Sequence, residues 1–137
     1  MRRAAGPRLA TLKRRRDFLA AARARRASFE TLTLQARARR ADEPAEAPVR
    51  VGYTCSKKVG NAVTRNRAKR RLRAVAAELL SEGGRDGWDY VLIGKPEATG
   101  GRPFDRLREE LAAALARVHA PRAERPRAPA AGPASPP

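Results

Sequence analysis

One cysteine and one histidine in 137 residues set the first limits on what this chain can do. Cys55 alone cannot close a disulfide within the chain. With His119 as the single imidazole, no Cys/His transition-metal site can be assembled, which disfavours hydrolysis by a protein-bound zinc. Aromatics make up 4% of the residues, so a binding surface of stacked rings has little to draw on. No apolar run is long enough to cross a bilayer, and the opening MRRAAGPRLATLKRRR lacks the uninterrupted apolar core of a secretory signal. A cytoplasmic protein with no membrane partner and no small-molecule substrate is the expectation. Acids are also scarce, 14 Asp and Glu against 31 Lys and Arg, giving a formal net charge of +17. A compact chain of that charge repels itself unless a polyanion neutralises it, so nucleic acid is the leading class of partner.

The length leaves room for one domain. Residues 1–8 and the Pro/Ala-rich residues 120–137 have no apolar period and cannot bury enough surface to offset the entropy of ordering. We therefore expect a disordered basic N-terminus over 1–8, a single nucleic-acid-binding domain over 9–119 and a disordered tail over 120–137. Within the domain, ARRADEPAEAPVR breaks the pattern with two prolines and the acids Asp42, Glu43 and Glu46, and reads as a surface loop.

The remaining segments predict a mixed fold. RRRDFLAAARARR, residues 14–26, is rich in helix formers. ETLTLQARA and VRVGYTCSKK alternate apolar and polar positions, as half-buried strands do, and are expected to pair as a hairpin around the acidic loop. WDYVLIGKP is a continuous apolar run suited to a central strand buried on both faces. RPFDRLREELAAALARVH sets Phe104, Leu107, Leu111, Leu115 and Val118 on one helical stripe behind Pro103.

What the chain has in abundance is concentrated in KKVGNAVTRNRAKRRLR, residues 57–73, with eight basic residues and no acid. A helix over residues 62–80 turns Ala68, Leu72, Val75, Ala76 and Leu79 toward a core and Asn66, Arg67, Lys69, Arg70 and Arg73 away from it. Like charges at these spacings destabilise an isolated helix, and a merely solvated face would mix its signs. Guanidinium forks match phosphate oxygens, and Asn66 can make directional contacts to a base edge or a 2′-OH. Lys57 and Lys58 extend the surface, while Gly60 and Asn61 suit a turn and a helix cap.

CSKKVGNAVTRNRAKRRLR closely resembles the signature of the bacterial ribonuclease P protein subunit, SKKxGNAVxRNRxKRxxR. LKRRRDF, RVGYT, GWDYVLIGKP and FDRLREELAAAL fall where that family has its equivalents, so the resemblance spans roughly residues 9–118. It implies an α/β (α+β) two-layer sandwich with a four-stranded mixed sheet and three helices in the order α-β-β-β-α-β-α. It also implies a left-handed βαβ crossover, against a right-handed rule that holds in about 98% of cases. By the same resemblance the partners are ribonuclease P RNA and precursor tRNA. Magnesium ions would act with the catalytic RNA, and the protein alone would bind no cofactor or metal and carry no catalytic residue. Lys57, Lys58, Asn61, Arg65, Asn66, Arg67, Lys69, Arg70 and Arg73 would face the catalytic RNA. Arg14, Arg15, Phe18, Gln35, Tyr53 and Cys55 would line a cleft for the 5′ leader. The sequence departs from the family at Ala22 and Gln35, where aromatics are often found.

Two other readings compete: a structural RNA-binding protein of ribosomal type, and a DNA-binding helix module. Neither requires the whole Lys-Lys, Gly-Asn, Arg-Asn-Arg arrangement. Cys55, with no histidine near it in sequence, reads as a packed side chain rather than a nucleophile. His119 ends the last helix, where a cation suits the helix dipole. Asp17 and Glu30 lie amid so many cations that both should stay ionised, which makes them poor general acids.

Overall fold

A computed structural model of the chain describes residues 8–43 and 47–121. The expected loose ends, apart from Arg8, Ala120 and Pro121, and the middle of the acidic loop lie outside those residues. In chain order the elements are β1 (Leu9–Thr11), α1 (Arg15–Ala22), β2 (Arg25–Ser28), β3 (Leu32–Ala38), β4 (Val49–Thr54), a 3₁₀ turn (Lys57–Val59), α2 (Ala62–Gly83), β5 (Trp88–Gly94), α3 (Ala98–Gly101) and α4 (Phe104–His119). None of the described helices is long and apolar enough to cross a membrane.

The one segment that is apolar on both faces takes the middle of the sheet. Strand order is β1-β4-β5-β3-β2, with β5 parallel to β4 and antiparallel to β3. The hairpin expected between β3 and β4 therefore does not form. WDYVLIG needs cover on both faces, and inserting it between the two half-polar strands provides that cover. Helix α2 makes the crossover from β4 to β5. The residues flanking the acidic loop meet the chain just before β5, where the Arg39 amide donates to the Gly87 carbonyl and the Gly87 amide to the Pro48 carbonyl, both at 2.8 Å.

The sheet has five strands rather than the four that the resemblance implies; periodicity located three of them, and the two short edge strands β1 and β2 escape it. The first helix stops at Ala22 instead of running to residue 26, and the chain turns back as β2 with Ala27 opposite Leu34. Burying Ala27 in the main core outweighs the modest helix preference of the arginines around it.

Pleat alternation gives the sheet two distinct faces. Leu32, Leu34 and Ala36 of β3, Val49 and Val51 of β4, and Tyr90 and Leu92 of β5 pack on Leu72, Val75, Ala76 and Leu80 of α2 and on Leu107, Leu111, Ala114 and Val118 of α4. Each buried leucine in this layer stabilises the fold by about 1.5–3 kcal/mol. The stripes expected on both long helices are the buried ones, with Leu80 sealed more completely than Leu79, and with Phe104 and Leu115 at the margin. The opposite face carries a smaller cluster in which Phe18 and Ala21 of α1 meet Leu12, Val91 and Ile93.

Near the start of β5, Asp89 is fully buried and lies directly opposite Arg37 of β3 and Arg50 of β4. Arg50 grips it with two bonds of 2.8 and 2.7 Å, Arg39 donates at 2.5 Å, and Arg37 stands 3.8 Å away. Asp17 of α1 approaches the same Arg50 at 3.5 Å, and Arg39 also donates to the carbonyls of Trp88, Ala47 and Pro48. At the far end of α4, the Tyr90 hydroxyl accepts from the Arg85 amide at 2.9 Å and lies 2.6 Å from His119 Nε2. Burial first, then the charges of Arg85 and Arg25, lower the imidazole pKa to about 4. His119 is therefore neutral near pH 7, which corrects the reading of a helix-end cation: desolvation and two nearby guanidinium groups outweigh the dipole.

Asp89→Asn takes away the buried carboxylate that Arg39 and Arg50 grip, leaving Arg37 with Glu43 and Arg50 with Asp17, and should destabilise the fold by about 3–5 kcal/mol, read as a lower urea midpoint. A wild-type midpoint would show that water already screens the cluster. Folding favours neutral His119, so its contribution is whole above about pH 6.5 and is lost as the pH falls toward 4. The wild-type melting temperature should fall more steeply across that window than that of His119→Leu, and parallel curves would place the ring in solvent.

Candidate nucleic-acid interface

The cationic corner is built by local geometry at the end of β4. Ser56 Oγ accepts from the Lys58 amide at 3.2 Å, opening the 3₁₀ turn that presents Lys57 and Lys58. Gly60 follows with φ 145°, and a Cβ there would lie 2.8 Å from the Thr64 side chain, so only glycine suits the joint. Asn61 Oδ1 then caps α2 by accepting from the Thr64 amide at 2.9 Å. That cap occupies the oxygen of Asn61 and leaves its amide nitrogen for an external acceptor.

Beyond the cap, α2 displays Asn66, Arg67, Arg70 and Arg73 as exposed side chains, with Arg65 and Lys69 half-buried. Among the described residues, none of Lys57, Lys58, Arg65, Arg67, Lys69, Arg70 and Arg73 forms an ion pair. Arg102, Arg106 and Arg108, on and beside α4, each hold a carboxylate. The chain thus neutralises one arginine group internally and leaves the other for an outside anion. Arg71, in the same helical run, is turned inward: its Nη1 and Nη2 donate to the carbonyls of Gly100 and Arg102 at 3.1 and 2.5 Å.

The expected cleft residues do not share one surface. Phe18 lies on the α1 face, its ring so close over Gly52 that a Cβ there would be 2.5 Å away. Gln35, buried in β3 opposite Val91, points to this face, and Arg14 and Arg15 are exposed at the start of α1. Tyr53 and Cys55 point the other way and pack against the α2 side of the sheet. The Arg73 guanidinium covers the Tyr53 ring at 5.3 Å, and Cys55 Sγ sits over Gly94. The physical reason is the period of two: Gly52 and Thr54 share the Phe18 face, whereas odd-numbered β4 residues face α2.

Beside Asp17 and Ala20 of α1 opens a concavity of about 760 Å³, flanked by Lys13, Arg14 and Arg16 and by Arg37, Arg40 and Arg50, with Glu43 among them. Sequence reasoning passed over Lys13, Arg16, Arg37, Arg50 and Gly52. The run KRRR was the available signal for the first two, whereas the strand residues required the sheet order.

The remaining candidates resolve plainly. Burial raises the Cys55 thiol pKa more than Lys69, the Gly94 backbone and Arg65 lower it, so the thiol is not an activated nucleophile. Bonds from Arg102 and Arg106 hold the Glu30 carboxyl below its ordinary range, while Asp17 faces Arg50. The two acids share no partner.

Three comparisons bear on this architecture. The family model described as Ribonuclease P matches residues 7–119. A ribonuclease P protein component from Ruegeria pomeroyi is 58% identical over 114 residues, covering 83% of this chain and 90% of the relative. One from Paramagnetospirillum magneticum is 46% identical over 114 residues, covering 82% and 85%. Among solved structures, the Thermotoga maritima RNase P protein superposes with a TM-score of 0.61 at 25% identity, covering 76% of this chain and 93% of that one. The Staphylococcus aureus RNase P protein has a TM-score of 0.61 at 21% identity, covering 77% and 91%, and speaks to the fold alone. A match over most of the described domain, with such identity in full-length relatives, is decisive: the chain belongs to the ribonuclease P protein family.

Proposed function

We propose that this chain is the protein subunit of an endoribonuclease in which a catalytic RNA, with its magnesium ions, removes the 5′ leader of precursor tRNA. The observation that carries the reading is the corner formed by the 3₁₀ turn and the first turns of α2, where seven cations stand without a carboxylate among the described residues. Each phosphate met by such a cation releases condensed counterions, so the free energy of binding is largely electrostatic and salt-dependent. Asn61 and Asn66 add directional contacts that charge alone does not supply.

The protein's own acids do not suit a magnesium ion. Among the described residues no group of three or more His, Cys, Asp or Glu side chains converges, and Asp17, Asp89, Glu30 and Glu43 are held by arginines. In this reading the metal belongs with the RNA, and the protein binds, orients and lowers repulsion between the two RNAs.

The leader would follow the α1 face, past Phe18 and Gln35 toward the basic concavity that includes Arg14. Among the described residues Phe18 is the one ring in the small cluster on that face, and it is seated against Gly52. Base stacking, worth about 1–3 kcal/mol per base, therefore contributes less than contacts from Lys13, Arg14 and Arg16.

Reconstitution with a bacterial ribonuclease P RNA at low magnesium should speed precursor-tRNA cleavage, and the protein alone should cut nothing. No stimulation would overturn the reading. Replacing Arg65, Arg67 and Arg70 together by Gln should abolish the stimulation and reduce the log-log salt slope of RNA binding by about 2 to 3. Circular dichroism should stay unchanged, and unfolding would instead assign those side chains a structural role.

A further inference from the structure

The chain leaving β5 is held more tightly than a connector of its length requires. The Ala98 amide donates to the Pro96 carbonyl at 2.6 Å, closing a three-residue turn with Glu97 at φ 63° and ψ −45°. That conformation is strained for a residue with a side chain and persists only where surrounding contacts impose it. Thr99 is the main restraint: fully buried, its hydroxyl accepts from the Lys95 amide at 2.7 Å and donates to the Thr31 carbonyl at 2.6 Å. Thr31 is in turn fixed by Glu110 of α4 through two bonds of 2.8 Å.

The anchored segment ends at Gly100, whose carbonyl accepts from Arg67 Nε and from Arg71 Nη1, each at 3.1 Å. These arginines stand one helical turn apart on α2, where like charges would drive them apart. The shared oxygen puts negative partial charge between them. Arg71 is spent inward on a second carbonyl and stacks toward Phe104 at 5.8 Å. Arg67 remains exposed, and among the described residues its two terminal nitrogens have no partner.

We propose that Thr99 and the Gly100 carbonyl are positioning groups for Arg67, fixing its guanidinium fork toward an RNA phosphate before the RNA arrives. This rests on reading the cationic face of α2 as the RNA surface. Ordering a long side chain on binding weakens an interaction, and an arginine already ordered in the unbound protein avoids that loss. Thr99 touches no RNA in this account and acts only through Arg67.

The test is a double-mutant cycle on the full chain, with affinity for a bacterial ribonuclease P RNA as the readout. Thr99→Val removes the hydroxyl at nearly constant shape and should weaken binding about two- to tenfold. Thr99→Ser should restore it. In an Arg67→Ala background, Thr99→Val should change nothing further. An equal loss in that background would show that Thr99 acts through general stability, and wild-type affinity of Thr99→Val would likewise overturn the proposal. Wild-type affinity of Arg67→Ala would instead remove Arg67 from the RNA surface, a separate failure. Should Thr99→Val not fold, hydrogen exchange in the unbound wild type decides: the Arg67 Nε–H should exchange more slowly than that of Arg70, and equal rates would refute the positioning role.

Discussion

Asp89 is the contact on which the rest of the architecture depends. One fully buried carboxylate is the direct cross-strand neighbour of Arg37 on one side and Arg50 on the other, and Arg39 closes the group. Buried ion pairs are weak evidence of net stability, because desolvation offsets much of the attraction. Their geometry is nevertheless specific. A slip of β5 by one residue would take the carboxylate from both partners and turn Tyr90 and Leu92 away from α2 and α4. Polar and apolar requirements therefore select the same register. Asp17 approaches Arg50 from above, so the orientation of α1 over the sheet is tied to the same group.

That arrangement also sorts the arginines. Arg37, Arg39 and Arg50 are met inside the protein by Asp89, Glu43 and Asp17, and Arg102, Arg106 and Arg108 by acids on or near α4. Among the described residues, two runs of cations without a carboxylate stand out, Lys57 to Arg73 at the 3₁₀ turn and the start of α2, and Lys13 to Arg16 at the start of α1. Formal net charge alone would suggest diffuse attraction for any polyanion. The pairing pattern instead leaves separate cationic surfaces on the described part of the chain.

Sequence periodicity revealed most of what the long helices do, because α2 and α4 each bury an uninterrupted stripe and the pattern needs no knowledge of neighbours. It also located the central strand, since a run apolar on both faces has few other places to go. It could not reveal the strand order. Nothing in ETLTLQARA or VRVGYTCSKK says that a later strand will separate them, and without the layers on each side of the sheet the two alternating sets of β4 residues, Gly52 toward Phe18 and Tyr53 toward α2, could not be told apart. Edge strands β1 and β2 were missed for a related reason: their three and four residues are held by partners rather than by pattern. The α2 surface was legible because it is contiguous in sequence. The α1 surface, assembled from α1, β3 and β4, was only partly so.

The shortage of aromatics shows its consequence in how the rings are used. Arg25 covers Trp88, Arg73 covers Tyr53, Arg117 covers Phe29, and both Arg71 and Arg108 lie over Phe104. Each such contact contributes about 0.5–1 kcal/mol at an exposed site. It also occupies a ring face that a nucleobase would otherwise stack on. Of these five arginines only Arg73 belongs to the surface read as facing RNA, so the others are diverted to structure together with the rings they cover. A chain with abundant arginine and few rings has thus used guanidinium groups to complete its own surface packing. On the proposed reading, recognition is left mainly to cations that no carboxylate meets, and such cations favour phosphate over base identity.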